Sequence, residues 1–254
     1  MLRLTHLSAL LSTLLVMPLA QAEEWPAPIK AIEARGAEII QRFDAPSGLQ
    51  GYAARFNGQG VALYLTADGQ HVLVGSLLDA QGEDLSREPL DKLVYGPQGK
   101  AMLSKLEKSS WITDGKASAP RIVYVFSDPN CPYCNLFWKQ VRPWVEGGAV
   151  QVRHVMVGML RQDSAAKAAA LLSASDPQAA LHEHEAAGKV STLQGLKKIP
   201  DAIQQQLDHN LGLMAEMGAS ATPAIFYQDE AGQLQQQLGA PSPELLTQIL
   251  GPRP

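Results

Sequence analysis

Cysteine is what this sequence has least of, with two in 254 residues. A framework of structural disulfides cannot be built from two thiols. A zinc site would lack its other half, because no second Cys or His pair has ligand spacing; His182 and His184, two apart on an expected helix, face different sides of it. After the N-terminal segment nothing approaches the roughly 18 consecutive apolar residues of a membrane-spanning helix. Basic clusters are missing and the formal charge is −4, which argues against nucleic acid as a partner. Internal repeats are absent too.

The two cysteines that do occur are neighbours, in Cys131-Pro132-Tyr133-Cys134. The motif lies between an apolar run over 122–126 and a helix-compatible run beginning Asn135-Leu136-Phe137-Trp138. Two thiols at the point where a strand feeds a helix suit a redox pair. The first would sit at the helix N-terminus, where unpaired N–H groups and the macrodipole favour the thiolate, so Cys131 is the candidate nucleophile. Cys134, one turn further in, can attack a mixed disulfide on Cys131 and release the partner. A purely structural cross-link is the weaker reading: so short a loop gains only about 2 kcal/mol, against roughly 3 for fifteen residues. No metal or organic cofactor is needed for this chemistry.

The N-terminus reads as an export signal: Arg3, an apolar stretch over 7–16, then Ala20-Gln21-Ala22 in the pattern a signal peptidase cuts. Cleavage after Ala22 leaves 232 of the 254 residues, enough for one large or two small domains. In an oxidising compartment a lone adjacent pair is either an oxidant at rest or a reductant maintained by a partner, and both readings stand.

Hydrophobic periodicity predicts an amphipathic helix over 26–43, with Gly36 as its weak point, followed by strands over 50–56, 61–66 and 71–78. Val61, Leu63 and Leu65 share one face of the middle strand, while Ala62 and Tyr64 make the other apolar as well. That second face needs cover, from another copy of the chain or from a second domain. A helix entered through proline is expected over 97–111, inside a connector spanning 85–116. Strand 121–126, the motif helix with Pro143 in it, and strand 151–160 make a βαβ unit. Helical segments over 164–174, 177–187 and 199–217 form an insertion at about 162–217; a hairpin over 223–227 and 233–238 and a helix over 243–250 close the chain. Trp138, Trp144 and Phe137 read as one core-facing helix stripe, and His154 as a satisfied core histidine.

The string 123–134, ending in the cysteine pair, together with Thr222-Pro223 before the last hairpin, resembles the thioredoxin-like domain of the bacterial periplasmic disulfide isomerase (DsbC/DsbG) family. The Pro132-Tyr133 dipeptide, Arg142-Pro143-Trp144-Val145 and Pro26-Ala27-Pro28-Ile29 match one branch of that family, the other having Gly-Tyr between its cysteines. The resemblance covers nearly the whole mature chain. It implies an α+β protein: a cystatin-like dimerisation module over 23–84, a linker helix over 85–116, and a catalytic thioredoxin-like domain over 117–254. It further implies a V-shaped homodimer kept reduced by the membrane protein DsbD and acting on exported proteins with oxidised cysteines, through sulfenic acid reduction, disulfide isomerisation and chaperone activity. Pro223 is then the family's cis proline, and Pro132, Tyr133, Thr222 and Pro223 meet the substrate. One departure from thioredoxins proper is Val125, where they place a buried acid six residues before the first cysteine.

Overall fold

A computed structural model describes residues 24–254; the export signal expected over 1–22 lies outside the described residues. The fold is α+β, with helices packed on two separate sheets.

The first sheet is a four-stranded antiparallel meander, β1 (Glu38–Asp44), β2 (Gln50–Phe56), β3 (Gln59–Leu65) and β4 (Val72–Val74), paired in chain order. The helix expected over 26–43 is a correction: helix α1 covers only Ala27–Glu33, and 38–44 is strand. Gly36 turns the chain at φ 99°, a conformation that β-carbon-bearing residues avoid, and the polar and apolar residues beyond it serve the sheet instead. Phe43 crosses its partner Gly51 to meet Tyr64 edge-on at 5.8 Å; a methyl on Gly51 would lie 2.3 Å from the Phe43 ring.

Ile29 of α1 packs against Tyr52, Ala54, Leu63 and Leu65 on one face of the sheet. The other face needs neither another copy nor a second domain, contrary to the expectation from Ala62 and Tyr64. The connector itself covers it: short helix α2 (Arg87–Leu90) and a π turn over Asp91–Tyr95 lie against β3 and β2. Tyr64 and Ser86 share a 2.7 Å hydrogen bond there, and Gly60 donates its N–H to the Tyr95 hydroxyl at 3.1 Å.

Helix α3 (Gly96–Lys108) continues the connector and delivers Leu106 to the core of the second sheet. Trp111–Asp114, expected inside the connector, is strand β5 of that sheet. Its remaining strands are β6 (Arg121–Ser127), β7 (Val150–Met156), β8 (Ala224–Gln228) and β9 (Leu234–Leu238), in the order β5-β7-β6-β8-β9. Only β6 and β7 run parallel, joined through helix α4 (Pro132–Glu146). Central β6 is buried on both faces, which is why its sequence is an almost unbroken apolar run. Val123 and Val125 face α4 and the last helix, α8 (Pro243–Leu250); Tyr124 and Phe126 face α3 and α7 (Asp201–Glu216). Trp138, Trp144 and Phe137 are all buried, and α4 runs through Pro143 to its end three residues later.

β7 stops at Met156 because the chain must then clear helix α5 (Ser164–Leu172) at very short range. A methyl on Gly158 would lie 2.3 Å from Ala165 Cα. Helices α5, α6 (Pro177–Ala187) and α7 form a layer over Ile112 and Met156. Among the described residues no helix is long and apolar enough to cross a membrane.

Candidate active site

The C-terminal end of β6 and the start of α4 hold the motif. Cys131 is the N-cap, extended at φ −84° and ψ 113°, and Pro132 takes the first helical position, where its missing N–H is no loss. The Cys131 sulfur does the work of a capping oxygen, accepting from the Cys134 N–H at 3.2 Å. Both thiols are free and both are buried, Cys134 behind Cys131. From the opposite side the loop before β8 brings Thr222, whose carbonyl oxygen lies 3.4 Å from Cys131 Sγ. The Thr222–Pro223 peptide is cis, as the resemblance implies.

These surroundings split the two thiols. The Cys134 thiol, against an opposing cost of burial, and then Thr222 and the N–H groups of Cys134 and Tyr133 stabilise the Cys131 thiolate and bring its pKa down to about 6. Cys134 moves the other way: burial pushes its thiol up, and the neighbouring Cys131 adds to the rise. The arrangement thus presents one thiolate at neutral pH and holds a second thiol in reserve.

Val125 is fully buried against the α4 side of the sheet, so no carboxylate stands at that place behind the cysteines. His154 is buried on β7, with Nδ1 3.3 Å from Ser127 Oγ and Nε2 3.5 Å from Asp114 Oδ2, too long for a good hydrogen bond. Asp114 pairs with Arg142, whose guanidinium also lies 4.0 Å from the Trp138 ring centroid. Burial opposes ionisation of Asp114, but His154 and Arg142 outweigh it and hold the carboxyl at about 2.

Several residues that shape the site carry no recognisable signal in the sequence. Asp128 is buried and accepts from the N–H groups of Asn130, Met159 and Leu160 at 2.8 to 3.0 Å and from the Ser164 hydroxyl at 2.8 Å, tying the motif loop to the loop after β7. His184 Nε2 donates to the Pro129 carbonyl at 2.8 Å, while Nδ1 lies 2.6 Å from Ser191 Oγ. Asn135 donates to the Glu185 backbone carbonyl at 2.6 Å and to its carboxylate at 2.7 Å. Ser164, His184 and Glu185 arrive from the insertion, far from the motif in sequence.

Exposed apolar side chains ring the motif: Tyr133 at 62 % exposure, with Leu136, Met159 and Leu160 also open to solvent. On its other flank, between the motif and α6, lies a cleft of about 450 Å³. Among the described residues no group of three or more His, Cys, Asp or Glu is arranged to hold a metal ion. His182 and His184 diverge, the first edge-on to Trp138 and the second on Pro129.

Comparison with known proteins agrees with this geometry. Residues 112–252 match the thioredoxin-like domain family, and residues 19–87 match the disulfide bond isomerase protein N-terminal domain. The chain is 62 % identical over 232 residues to the thiol:disulfide interchange protein DsbG of Pseudomonas aeruginosa, covering 91 % of each. It is 43 % identical over 245 residues to DsbG of Escherichia coli, covering 96 % of this chain and 99 % of that protein. Among solved structures, Proteus mirabilis ScsC in a compact conformation shares the fold, with a TM-score of 0.50 at 22 % identity over 65 % of this chain and 89 % of that one.

Proposed function

The chain belongs to the DsbG-type thiol:disulfide interchange proteins, and from that premise we propose that it works in the periplasm as a reductant of sulfenylated cysteines and mispaired disulfides on exported proteins. The observation that carries this reading is the asymmetry of the pair, a thiolate-stabilised Cys131 backed by a buried Cys134.

The Cys131 thiolate attacks the sulfenyl sulfur of the client; the new S–S bond forms as the S–O bond breaks, and the departing hydroxide takes up a proton to leave as water. Cys134, deprotonated by solvent, then attacks Cys131 Sγ, the client thiolate leaves, and the protein holds a Cys131–Cys134 disulfide. Two electrons have passed to the client. The membrane reductase DsbD restores the dithiol in this scheme. A mispaired disulfide enters the same sequence with a thiolate in place of hydroxide. Pro132, Tyr133, Thr222 and Pro223 line the approach, and the Thr222 backbone, 3.4 Å from the sulfur, offers an incoming extended segment its hydrogen bonds.

The same reading makes the protein a homodimer through its first sheet. β4 is an edge strand with Leu73 and Val74 exposed, the kind of edge that a second copy can pair with.

One observation favours a second reading, disulfide isomerisation on misfolded chains. Tyr133, Leu136, Met159 and Leu160 give the motif an exposed apolar surround, which suits an unfolded client. Turnover by the reduced protein of a sulfenylated folded protein, beside refolding of a scrambled multi-disulfide protein, separates the two, and faster action on the scrambled substrate would sink the first. In both assays Cys134→Ala accumulates mixed disulfides, Cys131→Ala accumulates none, and aggregation suppression by a variant lacking both thiols measures any chaperone share.

A further inference from the structure

The cleft beside Cys131 has a charge balance opposite to the molecule's. Over the chain acidic residues outnumber basic ones, 25 to 21, yet the cleft gathers Arg161 from the loop after β7, Lys167 from α5 and Lys189 from the turn after α6. Lys139 adjoins it from α4: a methyl on Gly188, which also lines the cleft, would lie 3.3 Å from Lys139 Nζ. Cations still outnumber the carboxylates beside them, Arg161, Lys167, Lys189 and Lys139 against Asp163 and Glu185. Asp163 pairs with Lys167 at 2.9 Å, and the buried Glu185 carboxylate accepts from Asn135 at 2.7 Å. Among the described residues, Arg161, Lys189 and Lys139 take part in no ion pair. Thr222 and Pro223 do not line the cleft, so it lies apart from the side on which Thr222 meets the sulfur.

Unpaired cations around a concave wall focus a positive field, and the reacting sulfur sits at its rim. We propose that this cleft is a carboxylate subsite, taking an Asp or Glu side chain next to the oxidised cysteine of a polypeptide client while Cys131 attacks that client's sulfur. It deepens the function proposed above and rests on Cys131 being the nucleophile. The subsite selects clients by charge beside the cysteine, a preference that the length and composition of the chain conceal because the cations are scattered in sequence.

The test uses the mature chain carrying Cys134→Ala, so that reaction stops at the mixed disulfide. Two single-cysteine peptides, identical except for Glu or Gln beside the cysteine, are supplied as mixed disulfides with thionitrobenzoate. Attack by the Cys131 thiolate forms the bond to the peptide sulfur and expels thionitrobenzoate with its electron pair, which absorbance follows. The Glu peptide should react about threefold to tenfold faster at low ionic strength, the range that a few exposed charges supply. Added salt should bring the ratio of the two rates toward one. Arg161→Gln with Lys189→Gln should do the same without salt, and Lys189→Glu alone should lower it below the native ratio. Because only the ratio is read, any change in thiolate reactivity cancels. Equal rates for the two peptides, or a ratio that survives the substitutions, would overturn the subsite while leaving Cys131 as nucleophile. Failure of both peptides to react would instead remove Cys131 from its role, and the subsite with it.

Discussion

The two sheets are built in opposite ways. In the first, every strand pairs with its neighbour in sequence, β1 to β4, and the result is a meander with open edges. In the second, β6 and β7 run parallel with α4 between them, β5 passes over its chain neighbour β6 to pair with β7, β8 arrives from beyond the insertion, and the order becomes β5-β7-β6-β8-β9. A parallel pair directs both of its C-terminal ends to one side of the sheet. There Cys131, the loop after β7 and Thr222 meet, although Cys131 and Thr222 are 91 residues apart. Local pairing leaves an open edge, and non-local pairing brings distant loops together.

If that contrast is right, breaking a long-range tie in the second sheet should cost most. Asp114 joins β5 to Arg142 of α4, and both are largely buried. Asp114→Asn should lower unfolding stability by about 3 kcal/mol, because it leaves the guanidinium buried without its counter-charge; urea titration followed by tryptophan fluorescence measures it. The pH dependence has a definite sign. A carboxyl depressed to about 2 contributes stability that is present above its unfolded value near 4 and is lost as pH falls through 2. Native protein should therefore lose stability across that window, and the Asn variant should lose less.

The first sheet predicts smaller and more local effects. Leu73→Lys with Val74→Lys places charge on the open edge of β4 and should weaken self-association about tenfold to a hundredfold by sedimentation, with Cys131 reactivity preserved. Ser86→Ala removes the buried hydroxyl shared by Tyr64 and the Leu77 N–H, at about 1 kcal/mol. Its thiols should titrate as in the native protein. A shift in thiol titration caused by either change would mean that the sheets are coupled through α2 and α3.

The same contrast explains what was legible in the sequence. The cysteine pair, its helix, the buried strand before it and the terminal hairpin and helix were all readable, since each is local and strongly patterned. The strand at 38–44 is ambiguous in sequence because Ile39, Ile40 and Phe43 also fit a helical stripe, and only the turn at Gly36 decides between them. The cover on Tyr64 is not legible because the connector folds back onto the sheet through Ser86 and Tyr95, contacts without any periodicity. Asp128, His184, Glu185 and the cationic cleft stayed hidden for a further reason. Their meaning depends on where the insertion lands, and helical patterning in an alanine-rich stretch does not say which loop it will cover.

If the fold makes two chemically unequal thiols from a symmetric-looking motif, alkylation against pH should resolve them. The reduced protein is pulsed with iodoacetamide from pH 4 to 10 and each cysteine is quantified by mass spectrometry. Cys131 should be modified with a midpoint near 6, its rate falling as pH drops below that value because the thiolate is protonated, while Cys134 stays unmodified well past pH 9. Two cysteines titrating together near the ordinary thiol value of about 8.5 would contradict the account.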